Sequence, residues 1–208
     1  MKKTKRAKKS RTWVIKQHRD QFFKKAKVLG YRSRAAFKLL ELNKKFNFIK
    51  KNSNLLDIGS TPGGWSQVAS KIITSGKVVA VDITPMKTLE NVIFFEENFL
   101  EQNTQEKILN TFGTKIDVII SDMAENTIGN KTADSIRTNN LCSIVIYFSL
   151  KTLNKKGILI CKLFMGEDFL EVKNLAKKNF KKVDFFKPES SRSESKETYI
   201  ICSSLKTL

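Results

Sequence analysis

The chain has 208 residues, 40% of them apolar, which suffices for one domain with a sizeable core and leaves little for a second. No apolar run approaches the roughly 20 residues that span a bilayer, and the basic N-terminus lacks the apolar stretch of a secretory signal, so neither a membrane nor a secreted protein is expected. The formal charge of +19 is unevenly placed: residues 1–51 hold 19 Lys/Arg and 2 acids, residues 52–208 hold 20 and 18, and so lopsided a cationic leader marks a polyanion binder.

Residues 1–12 read as a polar, basic arm. From Trp13 to Leu29, Val14, Phe22, Phe23, Ala26 and Leu29 recur among lysines and predict an interrupted helix packing one side on the body, stopped by Gly30. The basic arm is set at 1–30 and the folded domain at 31–208. Ser33 precedes a helix over Arg34–Phe46, whose apolar face is Ala36, Phe37, Leu39, Leu40 and Leu42 and which carries Lys38. Leu55–Ile58 is a first short strand, followed by the loop Gly59-Ser60-Thr61-Pro62-Gly63-Gly64 and a helix over Trp65–Ile73. Lys77–Val81 is a second strand ending at Asp82, Val92–Phe95 a third, and Ile116–Ile120 a fourth that ends at Ser121-Asp122. A helix over Leu141–Leu153 closes near Lys156-Gly157. Ile158–Leu163 is a fifth strand, Phe169–Asn179 a helix, and Val183–Phe186 with Thr198–Cys202 a final strand pair with no room for a helix between them. Strands alternating with helices and ending in an antiparallel pair predict a doubly wound α/β sheet with a reversed last strand.

The three cysteines, Cys142, Cys161 and Cys202, form no CxxC pair, and two sit in apolar runs, as expected of reduced, buried thiols in a cytoplasmic protein. The sole histidine, His18, lies in the leader, so no metal site or histidine triad is expected.

Ligands of open α/β sheets bind beyond the carboxyl ends of the strands. Asp57, Gly59, Asp82, Asn98 and Asp122 fall there. Glycines at 59, 63 and 64 let backbone approach a ligand closely. Their GxxxGG spacing differs from the GxGxxG of dinucleotide folds, and Pro62 removes an N–H from the loop. A nucleoside without phosphates fits better, and a nicotinamide oxidoreductase is disfavoured. Asp82 can accept both ribose hydroxyls, Asp57 can attract an amino or sulfonium group, and Asn98 can offer an amide to an adenine edge.

Lys162 interrupts the apolar run Ile158–Phe164, where an unpaired ammonium would be costly to bury. Asp122 closes the neighbouring strand, Glu197 opens the last one, and Lys38 sits on the helix before the first. A fold of this kind can gather all four into one alternating cluster of charge. A lysine beside a second lysine has its pKa lowered, and carboxylates oppose that shift. The balance is expected to let Lys162 take or orient the proton of a ribose hydroxyl during methyl transfer, with Lys38 stabilising charge on the oxygen.

These segments resemble the FtsJ/RrmJ family of RNA 2′-O-methyltransferases: Ser33-Arg34-Ala35-Ala36-Phe37-Lys38-Leu39, Pro62-Gly63-Gly64-Trp65-Ser66-Gln67, Ser121-Asp122-Met123-Ala124, Lys162-Leu163-Phe164 and Glu197-Thr198-Tyr199-Ile200. The likeness runs from about Tyr31 onward, and the family's K-D-K-E tetrad falls on Lys38, Asp122, Lys162 and Glu197. It implies a Rossmann-like methyltransferase fold with a seven-stranded sheet. It implies S-adenosylmethionine held by Gly63, Trp65, Asp82, Asn98 and Asp122, with Ile83 and Phe99 beside them. It implies Lys162 as proton acceptor, supported by Asp122 and Lys38 and assisted by Glu197. The implied substrate is a uridine ribose in the A-loop of large-subunit rRNA within the ribosomal subunit, and Arg32, Arg34 and the loop residue Arg192 are the expected RNA contacts. A monomer without metal or membrane attachment is expected. Three departures stand out: Glu125 replaces the proline of the family's SDMAPN, Asn98 stands where aspartate is usual, and the glycine loop begins Gly59-Ser60-Thr61 rather than with alanines. The alternatives are a catalytically silent rRNA-binding assembly factor, and a 2′-O-methyltransferase acting on tRNA or an mRNA cap.

Overall fold

The computed structural model describes residues 20–125, 130–166 and 168–206. The basic arm at 1–12, the start of the helix expected from Trp13, and Asn126 of the Asp122–Asn126 segment lie outside the described residues.

Thirteen elements follow one another: α1 (Gln21–Val28), α2 (Ala35–Phe46), β1 (Leu55–Ile58), α3 (Gly64–Ile72), β2 (Val78–Asp82), β3 (Val92–Glu96), α4 (Gln102–Phe112), β4 (Ile116–Ser121), α5 (Lys131–Thr152), β5 (Leu153–Phe164), α6 (Phe169–Asn179), β6 (Phe180–Phe186) and β7 (Glu197–Leu205). The sheet has seven strands in the order β3-β2-β1-β4-β5-β7-β6. All neighbours are parallel except β7, which runs antiparallel to β5 and β6. This is the Rossmann-like arrangement expected, with the reversed last strand.

Alternation along each strand sorts the core into two layers. Leu56, Ile58, Val79, Val81, Ile119 and Leu159 face α4, α5 and α6 through Ile108, Val145, Ile146 and Val172. Leu55, Val78, Val118, Ile120, Ile160 and Ile201 face α2 and α3 through Leu39, Leu42, Val68 and Ala69. The short runs Leu55–Ile58 and Val78–Val81 are buried without alternation because both sides of a parallel sheet are covered.

Strands β6 and β7 extend beyond the expected pair, to Phe180–Phe186 and Glu197–Leu205, and three larger differences stand beside that. Helix α4 is absent from the sequence reading because QNTQEKILNTF is mostly polar; it buries only Thr104, Ile108 and Phe112, and Gly113 ends it in the left-handed region at φ 67°. Helix α5 begins ten residues earlier than expected, at Lys131, where Asn130 caps it by accepting from the backbone N–H groups of Thr132 and Ala133. Strand β5 starts at Leu153, since the polar run Asn154–Gly157 continues the strand through an irregularity opposite Ile116–Val118 instead of turning.

Helix α1 docks on the body. Asp20 caps it through Phe22 and Phe23, Ala26 is buried, and Phe22 packs against Phe37 of α2 with ring centroids 5.5 Å apart. At the other end of the sheet the turn before β2 is tight: a Cβ on Gly76 would lie 2.0 Å from the carbonyl oxygen of Ser53. Backbone cannot yield as a flexible side chain can. Gly76→Ala is therefore expected to destabilise the fold by about 2–4 kcal/mol, read as a lower denaturant midpoint at unchanged slope.

Candidate functional site

Beyond the carboxyl ends of β1, β2, β3 and β4 lies a cavity of about 430 Å³. Its walls include Gly59, Asp82, Ile83, Asn98, Phe99 and Asp122, as the sequence suggests, and also Thr61, Thr84, Glu97, Met123, Glu125 and Leu141. Four carboxylates line it; Glu97, Glu125 and Asp122 are paired with Lys107, Arg137 and Lys162, while Asp82 has no ion pair among the described residues. Asp82 is fixed by two backbone donors, Thr61 N–H at 2.9 Å and Thr84 N–H at 2.8 Å. The Asn98 side-chain oxygen accepts from Leu100 N–H at 3.0 Å, which turns its NH₂ group into the part left to donate.

Four of the expected cofactor residues do not line this cavity. Asp57 shares the face of β1 with Leu55, points into the layer under α3, and is 1% exposed, accepting from Ser66 Oγ at 2.6 Å. Burial lifts its pKa to about 7, the Ser66 hydrogen bond opposing the rise. Gly63 and Gly64 open α3, where glycine serves close packing: Gly63 has φ 99°, and a Cβ on Gly64 would lie 2.2 Å from Ser33 Oγ. Trp65 is buried, donates through Nε1 to the Ala35 carbonyl at 2.7 Å, and packs on Tyr199.

Beside the cavity, the four charged residues meet. Lys162 Nζ lies 2.6 Å from Asp122 Oδ1 and donates to the Asp122 carbonyl oxygen at 2.8 Å. Lys38 Nζ lies 2.7 Å from Glu197 Oε1 and 3.8 Å from Asp122 Oδ2. Period-two alternation brings them to one face: Asp122 follows Val118 and Ile120, Lys162 follows Ile160, and Glu197 precedes Tyr199 and Ile201, all on the side that α2 covers with Lys38. Strand β7 sets Tyr199 opposite Lys162 and Glu197 opposite Phe164.

Two members of the cluster escape the sequence reading. Tyr199, fully buried, donates to Asp122 Oδ1 at 2.6 Å and accepts from Lys38 Nζ at 3.2 Å. Ser191 Oγ donates to Glu197 Oε1 at 2.7 Å. Tyr199 stands two residues after Glu197 in a strand, so the alternation held its signal; Ser191 comes from a loop and carried none.

Burial and pairing act against each other in the cluster. Burial pushes the Lys162 pKa down, but Asp122 and Glu197 override it, and Lys162 stands above the ordinary lysine value. Burial acts to raise Asp122, yet Lys162 and Lys38 bring its pKa down to about 2. Glu197 is likewise held low by Lys38 and Lys162 against its burial. Burial raises the Tyr199 phenol well above its ordinary value, so it stays a neutral donor. The resting cluster thus has two ammoniums and two carboxylates.

The expected RNA contacts divide. Arg32 donates to the carbonyls of Lys87 and Thr88, and Arg34 pairs with Asp20 and donates to the Ser190 carbonyl, so both guanidiniums fasten the protein to itself. Arg192 is exposed. Among the described residues no group of His, Cys, Asp or Glu is arranged to hold a metal ion, and no helix is long and apolar enough to cross a membrane.

Residues 31–205 match the FtsJ-like methyltransferase family. The chain is 43% identical over 197 residues to the ribosomal RNA large subunit methyltransferase E of Pelagibacter ubique, covering 95% of this chain and 97% of that protein. It is 43% identical to the protein of the same name from Rickettsia felis, over 95% of this chain and 89% of the other. Among solved structures, a Plasmodium falciparum protein described as a ribosomal RNA methyltransferase superposes with a TM-score of 0.76 at 34% identity, over 84% of this chain and 98% of that one. The Methanococcus jannaschii fibrillarin pre-rRNA processing protein shares the fold, with a TM-score of 0.57 at 20% identity over 77% and 70% of the two chains.

The buried Asp57 gives a signed pH effect. Its folded pKa of about 7 exceeds the ordinary 3.8, so the folded state holds more protons across that window and stability falls as pH rises through it. Asp122, lowered to about 2, works oppositely, its contribution vanishing as pH drops below the ordinary carboxylate range. Asp57→Asn is expected to remove the decline between about pH 4 and pH 7, measured by urea unfolding at each pH.

Proposed function

Because the chain belongs to the FtsJ-like methyltransferase family, we propose that it transfers the methyl group of S-adenosylmethionine to a ribose 2′-hydroxyl of large-subunit ribosomal RNA, a uridine of the A-loop being the nucleotide the resemblance implies. One observation carries this reading: Asp122 belongs both to the wall of the acid-lined cavity and to the cluster of Lys38, Lys162, Glu197 and Tyr199. A methyl donor and an acceptor oxygen would then meet across a single carboxylate.

The cavity suits the cofactor. Asp82 would take the ribose hydroxyls, Asn98 would donate to a ring nitrogen of the adenine, and Ile83, Phe99 and Leu141 supply apolar wall. In the adjoining loop, Ser60 Oγ is buried without a hydrogen-bond partner among the described residues. Bound there, S-adenosylmethionine supplies a methyl carbon on a positively charged sulfur, for which the surrounding carboxylates provide the complementary field. Asp57 contributes from behind the loop, by holding Ser66 of α3.

Lys162 orients the acceptor. An ammonium has three protons, and Asp122 takes two of them through Oδ1 and its carbonyl. The third is left for the ribose oxygen, fixing a lone pair toward the methyl carbon, and such placement contributes much of the rate. The acidity of a hydroxyl rises steeply as its oxygen takes a carbon, so no strong base is needed. Asp122, ionised down to about pH 2, receives the proton, while Lys38 and Tyr199 hold that carboxylate in place. In this reading Lys162 orients the acceptor oxygen, where the resemblance implies a proton acceptor.

Tritium transfer from labelled S-adenosylmethionine to isolated large ribosomal subunits tests the activity; absence of transfer with retained subunit binding would leave a silent binder. Lys162→Ala is expected to keep cofactor affinity and lose at least about 100-fold in kcat. The single-turnover rate of the unaltered protein is expected to stay flat from about pH 6 to 9, since Lys162 remains an ammonium throughout. A tenfold rise per pH unit would make neutral Lys162 the acceptor after all.

A further inference from the structure

At the opposite end of the sheet, where β1, β2, β4 and β5 begin, a second cavity of about 690 Å³ opens between the segments leading into β1 and β5. Its mouth carries Lys50, Lys155 and Lys156 with the amide side chains of Asn47, Asn52 and Asn154. All three lysines are exposed, and their ammonium groups make no ion pair or hydrogen bond with the described residues.

The surroundings share this character. Residues 44–51 hold four lysines and no acid, 151–156 three and no acid, and 177–182, leading into β6, four and no acid. Some lysines at this pole have local work: Lys77 and Lys206 donate to the terminal carbonyls of α4 and α6, and lysines in last helical turns complement the helix dipole. That accounts for Lys44, Lys45, Lys177 and Lys178, but not for Lys50, Lys155 and Lys156, which lie outside helices. The one acid in the cavity wall is Asp117, and its carboxylate is occupied by Asn54 N–H and the Asn154 amide. A general excess of lysine would scatter acids among the bases. Here four acids line the cavity beyond the strand ends, and the far cavity has Asp117 alone, already engaged by amides.

We propose that this pole is a second RNA-binding surface, on which Lys50, Lys155 and Lys156 grip the phosphate backbone of folded ribosomal RNA. The proposal rests on the reading of the protein as an rRNA methyltransferase, which requires it to sit on a large polyanion. Lys156 and Lys162 lie six residues apart on β5, about 20 Å along the strand, so the gripped segment is not the one that presents the acceptor ribose. Only a folded RNA large enough to wrap around the protein reaches both. Near the acceptor cluster, meanwhile, Arg32 and Arg34 are tied to the protein itself.

The test is the full chain carrying Lys50→Gln, Lys155→Gln and Lys156→Gln together, three exposed positions. Binding to isolated large subunits is followed by co-sedimentation over a salt series, without cofactor. The slope of log K against log salt is expected to fall by about two to three. In the methylation assay the KM for subunits should rise about tenfold at unchanged kcat, while a short hairpin bearing the acceptor loop is methylated equally well by both proteins. An unchanged salt slope and subunit KM would overturn the proposal. So would loss of binding to vesicles of anionic phospholipid with the RNA slope intact, which would make the pole a membrane contact. If the unaltered protein binds subunits without methylating them, the functional reading falls while the salt slope still decides the fate of the far pole.

Discussion

Everything at the site depends on burying four charges at once. Lys38, Lys162 and Glu197 are each under a tenth exposed, and an isolated charge so placed would neutralise or unfold its surroundings. They persist because each has an opposite neighbour: Asp122 lies against Lys162, Glu197 against Lys38, with 2.6 and 2.7 Å between the charged atoms. Tyr199 and Ser191 then satisfy remaining oxygens. The arrangement fixes protonation as well as position. A lysine with two carboxylates nearby is held in its charged form.

The sheet supplies the geometry. Parallel strands β1, β2, β3 and β4 end at the acid-lined cavity and begin at the opposite pole, so the same topology that gathers four carboxylates at one end sets Lys50, Lys155 and Lys156 at the other. Alternation adds the second dimension. Asp122 and Lys162 fall on the face of the sheet covered by α2, and Lys38 looks down on them from that helix.

Most of this was legible in the residues. A lysine inside an apolar strand, carboxylates at two strand ends and a lysine on the preceding helix announce a cluster, and the structure assembles it. What failed did so for physical reasons. The motif around Asp57 shows a strand end but not which way the side chain points; parity with Leu55 turns it under α3. Arg32 and Arg34 look like free cations in a basic leader, yet carbonyls and an acid distant in sequence take them up. Helix α4 and the front of α5 are too polar for periodicity to reveal, and only their termini, Gly113 and Asn130, carried a cue.

The reversed strand β7 also orders events in time. Strand β6 pairs with no neighbour except β7, and β5 waits for the same partner on that side, so both present raw edges while the chain is being made. Synthesis proceeds from the N-terminus, and Glu197 and Tyr199 emerge from the translating ribosome after every other part of the site. A nascent polypeptide lacks the partners that Glu197 and Tyr199 give to Lys38 and Asp122 until this single segment pairs with β5 and joins β6 to the sheet. Completion of the charge cluster and of the sheet therefore arrive in one step.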